Sequence, residues 1–213
     1  MTDQSIANVE TVVRSIAESA IAREVEFGDL DAVVGDGDFG YSLARGFEKV
    51  IAEWDDYDRT DASTFLAKVA LTVTSRIGGT SGPIWGTALL RAGMAVKGKQ
   101  SLDGEDAVEM LRAAAEGIKT RGNSDVGDKT LLDALVPATD ALSEALAKDA
   151  PGSEALTTMA AAARTAADAT SQLEARRGRA SYSGERSIGS PDAGAVAIAL
   201  MLEDLLPRWN SHT

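Results

Sequence analysis

The stretch Asp31-Ala-Val-Val-Gly-Asp36-Gly-Asp38-Phe-Gly40 lies between two segments of helical spacing, and reading it as a turn organises the rest of the chain. It places three aspartates within eight positions, two of them separated by a single glycine. Carboxylates this close repel, and ionised carboxylates in a half-buried turn are costly without a counter-charge. A hard divalent cation supplies one, and oxygen ligands suit Mg²⁺ or Ca²⁺. The other reading is a solvated acidic turn with an Asx cap on the following helix. An EF-hand fits poorly, because counting from Asp36 puts Phe47 where a bidentate glutamate belongs.

Before the turn, residues 4–24 carry Ile6, Val9, Val12, Val13, Ile16, Ala20 and Ile21 at helical intervals. After it, 41–54 resumes the pattern with Leu43, Phe47, Val50, Ile51 and Trp54. A polar run, Asp55–Asp61, ends that helix, and the same spacing predicts helices over about 62–77, 83–97, 104–120, 130–148, 153–176 and 193–206. Pro83 suits a first helical turn, and Asp103 and Asp192 suit N-caps. The run Ala193–Leu202 is apolar almost all round, so the last helix should be buried on most sides. No stretch alternates convincingly as a strand. The expectation is an all-α single domain over 1–213, a bundle or barrel of eight up-and-down antiparallel helices.

Composition narrows the function. Hydrophobic residues are 44% but aromatics only 5%, so the core is filled mainly by Ala, Leu, Val and Ile. The net charge of -12 argues against nucleic acid, whose backbone needs a basic surface. Cysteine is absent, which excludes disulfides, thiol chemistry and zinc-thiolate sites. The start Met1–Ser5 has no basic or apolar leader region, and no apolar run is long enough to span a bilayer. A cytoplasmic protein without a membrane segment is expected.

With short connections, successive loops alternate between the two ends of an up-and-down bundle. Loops 25–40, 78–82, 121–129 and 177–191 then share one end. They hold the aspartates, Gly78-Gly-Thr-Ser-Gly82, Gly127-Asp-Lys-Thr130 and Gly178–Gly189. The second feeds glycines, Thr80 and Ser81 into a helix start, where free N–H groups and the helix dipole favour anions; a glycine C-cap before a proline start explains it as well. The last brings Arg176, Arg177, Arg179 and Arg186 into an acidic chain. Arg176 and Arg177 are expected to neutralise the end of the seventh helix, leaving Arg179 for a ligand. Carboxylates for metal, a helix start and an arginine are the parts that hold a polyphosphate through divalent ions. No Walker A or protein-kinase pattern occurs, and the only histidine is His212, so no catalytic base is assigned.

Four motifs in order, Asp31-x4-Asp36-Gly-Asp38, Gly78-Gly-Thr-Ser-Gly-Pro83, Gly127-Asp-Lys-Thr-Leu131 with Asp133-Ala-Leu-Val-Pro137, and Gly178–Gly189, resemble the nucleotide-binding L subunit of dihydroxyacetone kinases. The resemblance covers essentially the whole chain. It implies a barrel of eight antiparallel helices with ADP or ATP at one rim. Asp31, Asp36 and Asp38 would hold two Mg²⁺ ions bridging the phosphates. Phe39, Gly40, Tyr41 and Ser42, with Thr80 and Ser81, would contact those phosphates. Gly122, Leu131 and Arg179 would border the nucleotide, with Asp192, Ala193 and Gly194. A separate K subunit would hold the ketose through its own histidine, and this chain would deliver the phosphoryl group. The donor is either exchangeable ATP or a phosphotransferase-system protein that recharges bound ADP. A homodimer is left open.

The chain departs from the family pattern at Phe39 and Ser190, where histidine is usual, at Ser42, where asparagine is, and at Ala193, where proline is. A divergent paralogue serving a four-carbon ketose is one alternative. A nucleotide-loaded regulatory subunit that binds a partner such as a transcription regulator is another. A metal-binding structural bundle without nucleotide is a third.

Overall fold

A computed structural model describes residues 3–212; Met1 and Thr2, part of the start read as leaderless, and Thr213 lie outside them. Among the described residues nine α-helices follow in order: α1 (Asp3–Ala22), α2 (Glu24–Ala32), α3 (Phe39–Ala52), α4 (Ala62–Arg76), α5 (Ser81–Ala95), α6 (Gly104–Gly122), α7 (Leu132–Leu146), α8 (Gly152–Ala169) and α9 (Ala193–His212). No strand occurs among the described residues. Each helix from α3 to α9 packs on the next, and α1 packs on both α3 and α9. That last contact closes the ring into a barrel. No helix among the described residues is long and apolar enough to cross a membrane.

The core is built as composition requires. Alanines such as Ala17, Ala20, Ala163 and Ala199 are fully buried and let the helices approach closely. The few aromatics fill the wider gaps: Trp54, Tyr57 and Phe65 meet edge to face, with Trp54 and Phe65 centroids 5.6 Å apart. In α9 every residue from Ala195 to Met201 is buried. It contacts α1, α7 and α8, which is why its sequence is apolar on nearly every face. Asp103 caps α6 as expected: its carboxylate accepts the Asp106 N–H at 3.0 Å, and Asp106 returns a bond to the Asp103 N–H at 3.1 Å.

Two boundaries at the rim differ most from expectation, and α9 also runs to His212 where its pattern suggested about 206. The first loop does not run over 25–40, because helix resumes immediately after a kink at Arg23. Helical bonding continues across the kink, from Arg23 N–H to Ser19 O and from Phe27 N–H to Arg23 O. The resulting α2 carries four acidic residues and buries only Phe27, so it has no periodic stripe to announce it. What holds it is close backbone contact with α3: a Cβ at Gly40 would lie 2.0 Å from Glu24 O and 2.5 Å from Gly28 N. The seventh long helix, α8, ends at Ala169 rather than near 176. Thr170 turns the chain, donating its hydroxyl to Ala167 O and accepting the Asp192 N–H at 2.8 Å. Residues 170–192 thus become one long connection containing two short 3₁₀ segments.

Candidate functional site at one rim of the barrel

The α2–α3, α4–α5, α6–α7 and α8–α9 connections meet at one end, as alternation demands. Ser183 donates to Val34 O at 3.3 Å, joining the last of these to the first. A Cβ at Gly78 would lie 3.6 Å from Ser42 Oγ, joining α4–α5 to α3. A Cβ at Gly194 would lie 3.3 Å from Leu131 Cβ, joining α9 to the start of α7. At the end of α6, a Cβ at Gly122 would lie 3.1 Å from Ile84 Cδ1 of α5.

Asp31, at the end of α2, accepts the Gly37 N–H at 2.9 Å and so folds the turn back over itself. Gly35 is required there, since a Cβ would fall 2.3 Å from Asp31 Oδ1. Oxygens of Asp31, Asp36 and Asp38 lie within 4.8 Å of one another. Asp38 occupies the N-cap position of α3 yet makes no side-chain cap bond. The Asx-cap reading of this turn is therefore not realised, and the carboxylate stays available. Asp36 and Asp38 are exposed, Asp31 half-buried. Their counter-charge is Arg179, which pairs with Asp36 and approaches Asp38 at 3.4 Å. Three carboxylates this close, countered by one half-exposed arginine, are a donor set that fits a hard divalent cation.

The neighbouring residues play several parts. Phe39 turns inward and packs on Phe27, ring centroids 6.0 Å apart, and Gly40 is buried in the α2–α3 contact. Tyr41 is exposed with Arg45 over its ring at 5.3 Å. The helix α5 begins at Ser81, two residues earlier than expected, so Pro83 is its third residue. Thr80 sits at its N-cap position without a side-chain cap bond, which leaves its hydroxyl free of that duty. Asp192 caps α9, accepting the Ala195 N–H at 2.8 Å, and burial pushes its pKa up to about 7. Ala193 and Gly194 form the first turn of α9.

Arg176 and Arg177 do not neutralise the end of α8, because that helix stops before reaching them. Arg177 instead pairs with Asp128 at 2.9 Å, and Arg176 lies 4.0 Å from the same carboxylate. Lys129 is the residue sequence reasoning placed least well. It is 2% exposed, and burial lowers its pKa. The motif Gly127-Asp-Lys-Thr130 marked the position, but nothing in it shows that the side chain turns inward.

Elsewhere, a groove of about 1030 Å³ between α1, α2 and α9 is lined by Arg23, Val25, Leu30, Asp204 and Arg208 among others. Several of its charges are paired within it, Arg23 with Asp204 at 2.8 Å and Arg208 with Glu18. The carboxylate trio at the rim, countered by a single half-exposed arginine, is the arrangement with donors to offer a ligand.

The family model described as the DAK2 domain matches residues 33–207. The ADP-binding subunit DhaL of the PEP-dependent dihydroxyacetone kinase of Escherichia coli K12 is 38% identical over 176 residues, covering 83% of this chain and 84% of that one. The L-erythrulose 1-kinase of Mycolicibacterium smegmatis is 38% identical over 200 residues, 93% of this chain but only 35% of that protein. Among solved structures, the dihydroxyacetone kinase of C. freundii in complex with AMP-PNP and Mg²⁺ superposes with a TM-score of 0.75 at 26% identity, over 94% of this chain and 34% of that one. This chain thus spans most of the subunit-type relative and about a third of the longer kinases.

Proposed function

The chain belongs to the DAK2-domain family, and from that membership we propose that it is the nucleotide-carrying, phosphoryl-transfer subunit of a small-ketose kinase. The observation that carries this reading is the carboxylate trio at the rim, set among helix starts and an arginine. Asp31, Asp36 and Asp38 would hold Mg²⁺, which in turn would carry the phosphates of ADP or ATP. When bound, the metal offsets phosphate charge and orients the transferred group. The N–H groups at the start of α5, with the Thr80 and Ser81 hydroxyls, are free to meet phosphate oxygens. Arg179 supplies a guanidinium whose charge persists at any working pH. Leu131 and Gly122, with Asp192, Ala193 and Gly194, would border the rest of the nucleotide. Phe39 gives no polar contact, since its ring packs on Phe27.

The ketose itself would be held by a separate K subunit docked over the rim, with the phosphoryl donor either ATP or a phosphotransferase-system protein. The likeness to an L-erythrulose 1-kinase over 93% of this chain supports a four-carbon ketose as a second substrate reading. Calorimetric titration with ADP in Mg²⁺ and again in EDTA tests the nucleotide site. Binding should require the metal, because three carboxylates otherwise repel the polyphosphate; undiminished affinity in EDTA would overturn the metal-bridged reading. Coupled assays with K subunits, using dihydroxyacetone and erythrulose in parallel, decide the substrate.

A further inference from the structure

The connection over 170–192 closes the rim, and one buried cation holds it. The Lys129 ammonium donates to the carbonyl oxygens of Leu173 at 3.1 Å, Ser190 at 2.7 Å and Ser187. An ammonium has three N–H donors, and all three are used within one loop. Carbonyl dipoles meet the charge directly, while Asp192 favours it from further away. The backbone is bent to allow this: Lys129 has φ of +61°, a left-handed conformation that a residue with a side chain adopts at a cost.

The preceding residue grips the same loop from its other strand. Asp128 O accepts the Arg176 N–H at 3.0 Å, and its carboxylate takes Arg177 at 2.9 Å. Ser187 Oγ in turn accepts the Ala175 N–H at 2.8 Å, tying the two ends of the loop together. Between these ties stands Arg179, the residue that reaches the carboxylate trio.

We propose that Lys129 is a positioning residue whose ammonium fills a three-carbonyl cage as an internal monovalent cation, and so sets the loop that presents Arg179 to the rim. Its consequence for nucleotide affinity rests on the function proposed above; its consequence for loop order does not. A carbonyl cage of this kind takes a compact cation whose charge reaches the oxygens and excludes one shielded by methyl groups. Removing the ammonium takes the donor from three carbonyl oxygens, that of buried Ser187 among them, which the loop relieves by opening to water.

The variant Lys129→Ala tests this with two readouts, tryptic cleavage within Arg176–Arg186 and the Kd for Mg-ADP. Both should rise by about tenfold or more, the scale of losing charge-assisted bonds. Methylammonium should restore loop protection, and tetramethylammonium at equal ionic strength should not, since it has the charge without the donors. Lys129→Met, which fills similar volume without donors, should open the loop as Lys129→Ala does. Unchanged cleavage in both variants overturns the proposal. So does equal rescue by the two cations, or a loss of melting temperature with cleavage rising in every helix. If the parent protein binds no Mg-ADP, the functional reading falls, while the loop-protection result still decides the role of Lys129.

Discussion

Arg179 lays its guanidinium against Asp36 and within 3.4 Å of Asp38, so it stands where a metal ion serving those carboxylates would draw its attraction. A cation entering the trio must displace it or share the charge. All three side chains are about half exposed, so the pair contributes little in water. The competition is therefore mild. Arg179→Gln should bind Mn²⁺ a few-fold more tightly than the parent when no nucleotide is present, and Mg-ADP more weakly. Paramagnetic titration reads the first and calorimetry the second. A variant that binds bare Mn²⁺ less well would show that Arg179 supports the trio rather than competing for it.

Neutralising the trio separates ligand binding from folding. Asp38→Asn removes one of three carboxylates within 4.8 Å of one another and breaks no cap bond, because Asp38 makes none. Melting temperature in EDTA should then stay within about 2–4 °C of the parent, a change of no more than about 1 kcal/mol at this size. The increase that Mg-ADP gives the parent should disappear, together with phosphoryl transfer. A collapse of stability in EDTA would make the trio a structural element.

Much of this was legible in the sequence. Long amphipathic segments with short connections give an up-and-down helical arrangement, and loop alternation places the aspartates, Thr80 and Arg179 at one end; the barrel and Leu131 came from the family resemblance. The helix α2 was not legible, because Phe27 alone anchors it and Gly28–Gly40 backbone contact leaves no apolar period. Nor was the early end of α8, which Thr170 sets by bonding the distant Asp192 N–H. Residues as far apart as Asp128 and Arg177 pair through loop geometry that no local pattern encodes. Nor does the local pattern show that the Phe39 ring packs on Phe27.

Asp192 predicts a pH dependence. Burial raises its carboxyl from the ordinary 3.8 to about 7, against the opposing pull of the Ala195 N–H and Lys129. The fold therefore keeps this proton to higher pH than the unfolded chain does. Between about pH 4 and pH 7 the unfolded state alone releases it, so this group's contribution to stability falls as pH rises through that window. Asp192→Asn removes the titration and keeps an oxygen for the α9 cap. Relative to the parent its melting temperature should be similar or lower near pH 4.5 and several degrees higher at pH 8. The residue keeps some contact with solvent, which makes the gain smaller than the full shift implies. A variant less stable than the parent at pH 8 would mean that the helix dipole and Lys129 outweigh desolvation.

The final prediction concerns what this chain cannot do alone. Covalent capture of a ketose needs a nucleophile such as histidine, cysteine or a lysine free to react. The chain has no cysteine, its one histidine is His212, and its desolvated Lys129 is fully occupied by three carbonyls. Phosphoryl transfer also requires the acceptor hydroxyl in line and about 3–3.5 Å from the reacting phosphorus. Around the rim, Tyr182 is 89% exposed and Tyr41, Val126 and Ile188 are also exposed, apolar surface that a docking subunit would cover while excluding water. Isolated protein given Mg-ATP and dihydroxyacetone should therefore yield no sugar phosphate above background, and a cognate K subunit should restore turnover. Tyr182→Asp should weaken that restored activity by raising the apparent KM for the K subunit, leaving Mg-ADP affinity unchanged. Sustained turnover by this chain alone would place the ketose site within it and end the division of labour proposed here.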